Sequence, residues 1–257
     1  MLRRGGFSPR YTPLVRLITW NTRHLNERRR DAIIELAPDI LVLQEVYRDR
    51  PSLDLPGYHS SWHGFTELGL AVLWRSDRWT VRPLEELSWE VVMPFEVRGP
   101  RDFTLLATWD FNLRARDGRA EAARALTGRK SQILARLSEG SPGPEGVPLV
   151  VAGDFNSSQV WDSQAKYRGG FAARAEALTQ LGLVSAYHAH CGEAFGAETR
   201  PTLLHTFRDD RAYHIDYVFL PEEWLDDVQE VEVGEPQRWI RELGSDHVPV
   251  VVDLRDD

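Results

Sequence analysis

PLVVAGDFN, Pro148 to Asn156, is the stretch on which the fold of this chain turns. Leu149 to Gly153 form an unbroken apolar and small-residue run, the mark of a strand covered on both faces. The run ends abruptly on a carboxylate, Asp154, and a carboxamide, Asn156. An unpaired charge taken out of water costs several kcal/mol, so a buried strand tolerates such an ending only where the polar groups have a common partner.

The same ending recurs along the chain. VRLITWN (Val15 to Asn21) closes on Asn21, ILVLQE (Ile40 to Glu45) on Glu45, and LGSDH places Asp246 and His247 just before the strand VPVVVDL. HIDYVFL sets Asp216 inside an otherwise apolar run. One such residue is explained by a capped turn, whereas a whole set is better explained by a shared cation. Oxygen donors with little Cys or His suit magnesium, manganese or calcium rather than zinc.

Between these runs the pattern shifts from strand to helix and back. Asn26 is placed to cap a helix through Glu35, with Ala32, Ile33 and Leu36 inward, Arg28, Arg29 and Arg30 outward, and Pro38 as the stop. YHSSWH, LGLAVLWR, SWEVVMPFEV and DFTLLATW read as successive strands. Helices are expected at Arg119 to Leu137 and Phe171 to Leu181, separated by the Gly/Pro-rich connection EGSPGPEGVP. Strands dominate both halves without repeats. The expected architecture is an α/β sandwich of two packed mixed β-sheets flanked by helices, in one domain over residues 14–257 behind a loose arm at 1–13.

Composition narrows the class. With 257 residues, 42% hydrophobic and 27% charged, the chain matches folded soluble proteins rather than disordered, collagenous or coiled-coil ones. The lone Cys191 excludes an internal disulfide framework. No run approaches the ~20 apolar residues of a membrane span, and the basic N-terminus lacks the apolar core of a secretion signal. A cytoplasmic protein without an evident protein partner is expected. The net charge of −8 argues against a uniformly basic nucleic-acid coat. Charge is nonetheless uneven: residues 1–30 hold eight Arg against Glu27, and residues 114–130 hold six basic residues against two acids. Such runs read as solvated faces or as a groove for phosphates.

WN (Trp20–Asn21), PDILVLQEV, GDFN, HIDYVF and SDH occur in an order and spacing that resembles the endonuclease/exonuclease/phosphatase superfamily. Deoxyribonuclease I, abasic-site endonucleases, neutral sphingomyelinases and inositol polyphosphate 5-phosphatases belong there. The resemblance spans residues 15–254 and implies a four-layer, deoxyribonuclease-I-like sandwich. It implies Glu45 as principal metal ligand, with Asn21 and Asp246 on or near the metal through water, and Mg²⁺ (or Mn²⁺ in its place) as the ion. It further implies that Asp154 orients or deprotonates the attacking water, Asn156 binds the phosphoryl group, and His247, oriented by Asp216, contacts the scissile phosphate.

The expected activity is metal-dependent phosphodiester hydrolysis, most simply by a nuclease with little sequence preference acting on DNA or RNA. A small-molecule or lipid phosphodiesterase or a phosphatase shares the same core, and a non-catalytic binding module is the rival from another class. The presence of Glu45, Asp154, Asn156, Asp216, Asp246 and His247 together argues against the last.

The sequence departs from the family pattern at one place. Many members carry a leaving-group histidine where LLATWDFN has Trp109, so Asp110, Asn112 or a bound water would have to serve, or Trp109 simply packs. Other candidates have plainer readings. His188, His190 and Cys191 suit a polar loop better than zinc; His24 suits solvent; His214 shares a strand face with Asp216. Trp161 and Asp162 line a pocket or pack, and Arg114, Arg116 and Arg119 clamp phosphates or are ordinary surface arginines.

Overall fold

The computed structural model describes residues 14–48, 53–64, 67–84, 92–110, 132–137, 141–164 and 170–256. One six-stranded sheet contains β1 (Leu14–Asn21), β2 (Ile40–Tyr47), β3 (Tyr58–His63), β4 (Leu68–Arg75), β13 (Val228–Val233) and β14 (Val250–Arg255), in the order β13-β14-β1-β2-β4-β3. The second contains β5 (Thr80–Pro83), β6 (Val92–Arg98), β7 (Phe103–Trp109), β8 (Leu149–Asp154), β9 (Leu183–Ser185) and β12 (Asp216–Pro221), ordered β5-β6-β7-β8-β12-β9. A two-stranded ribbon, β10 (Leu203–Leu204) with β11 (Ala212–Tyr213), lies apart. Each large sheet is mixed: β1 runs parallel to β2 and β7 parallel to β8, while their other pairings are antiparallel.

The apolar run of β8 has the cause its composition suggests. Val150 and Ala152 enter the core between the sheets, whereas Leu149 and Val151 enter a second core beneath the helices. β12 divides likewise, with Val218 and Leu220 facing the other sheet and Tyr217 and Phe219 facing outward into the helical layer. Strict alternation between two cores makes both strands apolar at every step.

Helices cover the outside. In α1 (Glu27–Leu36) Asn26 caps by accepting from the Arg29 amide at 3.1 Å, and Ala32 and Ile33 are buried. The helix ends on Ala37 in the left-handed region, one residue before Pro38. Arg29, expected outward, is instead buried, because backbone carbonyls of two loops converge on its guanidinium. Of the helix expected from Arg119, α2 (Gln132–Leu137) is described, with Ile133 and Leu137 buried. Its earlier part, like the 1–13 arm, lies outside the described residues. In α3 (Gly170–Gln180) Phe171 and Leu178 point inward, and Asp162 accepts from the amides of Phe171 and Ala172. This gives Asp162 a helix-capping task.

The HAHC segment is not a polar loop. It forms α4 (Ala186–Cys191), and its buried His188 contacts Ser185 through Nδ1 at 2.8 Å and Glu198 through Nε2 at 3.1 Å. His190 and Cys191 are exposed on its far end.

Gly153 has no room for a side chain. Its φ is +152°, and a Cβ there would stand 1.9 Å from the Thr108 carbonyl oxygen on β7. Gly153→Ala is expected to cost on the order of 3 kcal/mol through strain and overpacking. Urea unfolding measures this, and wild-type stability would contradict the packing.

Candidate active site

The parallel pairs bring the carboxyl ends of β1, β2, β7 and β8 to one rim, where open α/β sheets form their sites. Trp109, Asp154 and Asp216 lie in register across three adjacent strands. Asp154 and Asp216 share the parity of Val150, Ala152, Val218 and Leu220, so their carboxylates face the seam between the sheets. Asn21 meets them from the other side. Its Nδ2 donates to Asp154 Oδ2 at 3.0 Å and to Glu45 Oε1 at 3.3 Å, while its Oδ1 accepts from the Arg23 amide at 3.0 Å.

Backbone irregularities aim the side chains. Glu45 sits where the register of β2 on β4 shifts, between Leu43 and Val46, with φ of 57°. Asn156 is likewise left-handed at 46°; its amide and Nδ2 donate to the two Asp154 oxygens at 2.8 and 3.1 Å. Residues held in this region store on the order of 1–3 kcal/mol each, less for Asn, and cluster at functional sites.

His247 approaches from the turn before β14. Its Nδ1 bonds Asp216 Oδ2 at 2.8 Å, which leaves Nε2 as the nitrogen available to a ligand. Trp20 Nε1 donates to the His247 carbonyl at 3.1 Å. Ser245 Oγ accepts the His247 amide and donates to the Asn21 carbonyl at 2.8 Å. Thr202 supports the far wall: its Oγ1 accepts the amides of Ile215 and Asp216, and its carbonyl accepts from Val248. Thr202 sits in no motif, and a buried hydroxyl serving two backbone amides leaves no trace in the pattern of the sequence.

Burial decides the electrostatics. Loss of water, then the nearby Asp216 carboxylate, push the Asp154 carboxyl up to about 8, against the pull of His247 and the Asn21 and Asn156 donors. Burial alone would lower His247, but the Asp216 carboxylate outweighs it, helped by Asp154 and Asp246, and raises the imidazole to about 10.

The seven residues singled out for the site, Asn21, Glu45, Asp154, Asn156, Asp216, Asp246 and His247, converge on this rim. Ligand atoms of Asp154, Asp216 and His247 lie within 4.8 Å of one another. Two of those three residues already bond each other, and all three are buried, so the half-buried carboxylates Glu45 and Asp246 are the better approach for a hydrated cation. Asp216 Oδ1 is buried without a hydrogen-bond partner. Crowded oxygen donors with an unmet carboxylate oxygen fit a hard divalent ion.

Other candidates fall elsewhere. Trp109 packs in the core between the sheets, and the Asp110 carboxylate is taken by buried Arg174 at 2.8 Å, which removes Asp110 as a spare acid. His24 is half-buried against Tyr47 rather than in solvent. His214, lowered by burial, bonds the Arg200 carbonyl through Nδ1 and rests on Tyr187. Trp161 packs edge-on against Tyr213. Asn112, Arg114, Arg116 and Arg119 lie outside the described residues.

The model of the endonuclease/exonuclease/phosphatase family matches residues 18–247. Among solved structures, a 3′-5′ exonuclease from Neisseria meningitidis superposes with a TM-score of 0.67 at 21% identity, covering 94% of this chain and 100% of that one. A 3′ phosphatase from Neisseria bound to a product DNA hairpin gives 0.66 at 19%, covering 93% and 99%. An AP endonuclease from Leishmania major gives 0.69 at 16%, covering 99% and 92%. No curated protein matches the chain.

Asp216→Asn should drop the His247 pKa from about 10 to the low side of an ordinary imidazole, because burial would then act unopposed by its main partner. An NMR titration of the metal-free protein reads this directly, and an unchanged titration would remove Asp216 as the cause.

Proposed function

Since this chain belongs to the endonuclease/exonuclease/phosphatase family, we propose that it is a divalent-metal-dependent phosphodiester hydrolase, a nuclease with little sequence preference. The observation that carries the reading is the seam itself. Asn21 joins Glu45 and Asp154, and the Asp216–His247 pair lies within 4.8 Å of Asp154, so an acidic set suited to a cation adjoins a cationic imidazole suited to a phosphate.

Glu45 would hold the metal together with Asp246, and Asn21, whose amide oxygen accepts from Arg23, would act on it through water. A bound Mg²⁺ or Mn²⁺ supplies neutralisation of the phosphoryl oxygens and the departing alkoxide. His247, fixed through Nδ1 and protonated at neutral pH, donates from Nε2 to the scissile phosphate. Asn156 donates its amide as charge builds on the phosphoryl group. Asp154 orients the attacking water and accepts its proton, which contributes roughly 10²- to 10⁴-fold. Positive charge close by lowers the Asp154 pKa and readies it for this task.

Nucleic acid is favoured by the DNA hairpin held by the Neisseria phosphatase. A phosphomonoester is the second reading. Arg23 stands exposed with its Nε 3.9 Å from Asp246 Oδ1, an extra cation beside the site for a second negative charge.

Two experiments test the proposal. Glu45→Gln should abolish most turnover in a panel of DNA, RNA, small diesters and sugar phosphates with Mg²⁺ or Mn²⁺, while keeping the fold; full wild-type activity in excess EDTA would refute metal dependence. Turnover of monoesters alone would select the second reading.

The proton on Asp154 gives a separate handle. Because Asp154 holds its proton up to about pH 8, Mg²⁺ binding near neutrality should release a proton and tighten as pH rises toward 8. Calorimetry in buffers of different ionisation enthalpy counts the proton, and a pH-independent affinity with no release would contradict this.

A further inference from the structure

Arg29 is a buried guanidinium that makes no ion pair at contact distance among the described residues, the Asp246 carboxylate acting on it only from farther off. Its donors go to backbone instead. Nη1 donates to the Arg23 carbonyl at 2.9 Å and the His24 carbonyl at 2.6 Å, and Nε donates to the Leu243 carbonyl at 3.0 Å. Arg23 and His24 are consecutive left-handed residues, φ 45° and 68°, following Thr22 just beyond the Asn21 end of β1. Two adjacent non-glycine residues in that region do not hold themselves there.

What those residues do explains why they are held. The Arg23 amide donates to Asn21 Oδ1, and that bond fixes which way the carboxamide faces, so that Nδ2 reaches Glu45 and Asp154. The His24 amide donates to the Glu45 carbonyl at 3.0 Å. On the other side, Leu243 leads through Gly244 into Ser245 and Asp246, and Ser245 bonds the Asn21 carbonyl. Gly244 has φ +78°, and a Cβ there would stand 3.1 Å from Arg29 Nη2, so the chain keeps this position bare where the guanidinium lies.

We propose that Arg29 is the positioning residue of the site: its fork clamps the Arg23–His24 and Leu243 carbonyls, and so fixes Asn21, Glu45 and the Asp246 turn relative to one another. The proposal rests on the metal-dependent reading for its kinetic consequence but not for its geometric one. Lysine cannot substitute, because a single ammonium lacks the planar fork needed to reach carbonyls on two loops.

The test compares Arg29→Lys and Arg29→Gln with Arg16→Lys. Arg16 makes a similar multi-bond strut, to Asp253 and the Leu36 carbonyl, away from the site. At a temperature where all are folded, both Arg29 variants should lose about 10- to 100-fold in kcat and in Mn²⁺ affinity, the range typical of groups that orient metal ligands. KM should change little. Mn²⁺ affinity is read by electron paramagnetic resonance without turnover. The Arg23 and His24 amides should lose hydrogen-exchange protection. Arg16→Lys should lower Tm with none of these effects. Folded Arg29 variants with wild-type kcat, Mn²⁺ affinity and amide protection would overturn the proposal. If the wild type neither turns over a phosphate ester nor binds Mn²⁺, the functional reading fails and the exchange result alone decides. If neither Arg29 variant folds, the wild-type amides decide: exchange faster than that of the β1 core overturns the clamp.

Discussion

The hydrogen bonds from Asn21 Nδ2 across the seam to Asp154 and along its own sheet to Glu45 are the contact on which the rest of this structure depends. Most of the contact between the two sheets is apolar packing, which is strong but non-directional and leaves sliding cheap. A carboxamide with its oxygen already committed has two N–H groups to offer, and both are used on carboxylates from different sheets. The His247–Asp216 bond and buried Gln44, which donates to the Thr108 carbonyl at 3.3 Å, add further cross-sheet ties. Polar bonds in a low-dielectric seam are costly to misplace, so they set the alignment that the apolar core merely permits.

That alignment has an electrostatic effect at the rim. Asp154 and Asp216 are neighbours in register on adjacent strands, which water would ordinarily make tolerable and burial does not. At neutral pH the fold answers with a proton on Asp154 and a cationic imidazole on Asp216, so the two acids do not stand there as bare charges together. The same compensation leaves the site waiting for positive charge. Under the metal-dependent reading proposed above, a bound cation and the Asp154 proton would be two ways of meeting one deficit.

The parts of this arrangement legible in the sequence are those written in side-chain pattern. β8 and β12 alternate between two cores, so their apolar runs and the polar residues that interrupt them stand out without any structure. Asn26 as a cap is equally local. What stayed hidden is backbone chemistry and tertiary pairing. Arg29 follows Arg28 and precedes Arg30, and three arginines in a row read as a wet face; only the left-handed carbonyls of Arg23 and His24 draw the middle one inward. HAHC looks like loop because its helix is a turn and a half whose burial depends on Glu198, ten residues on from His188. Asp110 looks available because Arg174 is sixty-four residues away in sequence. β5 and β9 are four and three residues long, too short to carry a period.

The placement of β1 has a consequence for biosynthesis. β1 pairs with β2 on one side and with β14 on the other, through Leu14–Arg255 to Thr19–Val250. Its second edge therefore stays open while roughly 230 intervening residues are made, at about 5–20 residues per second. The sheet of β7, β8 and β12 has all its strands before β14 in the sequence, so its pairings do not wait on the strand that completes the first sheet. Without β14 the acids lack the imidazole, the Asp246 turn and the completed first sheet. The charged centre is therefore complete only once β14 has paired with β1, and until then the open β1 edge invites the mispairing that chaperones guard against.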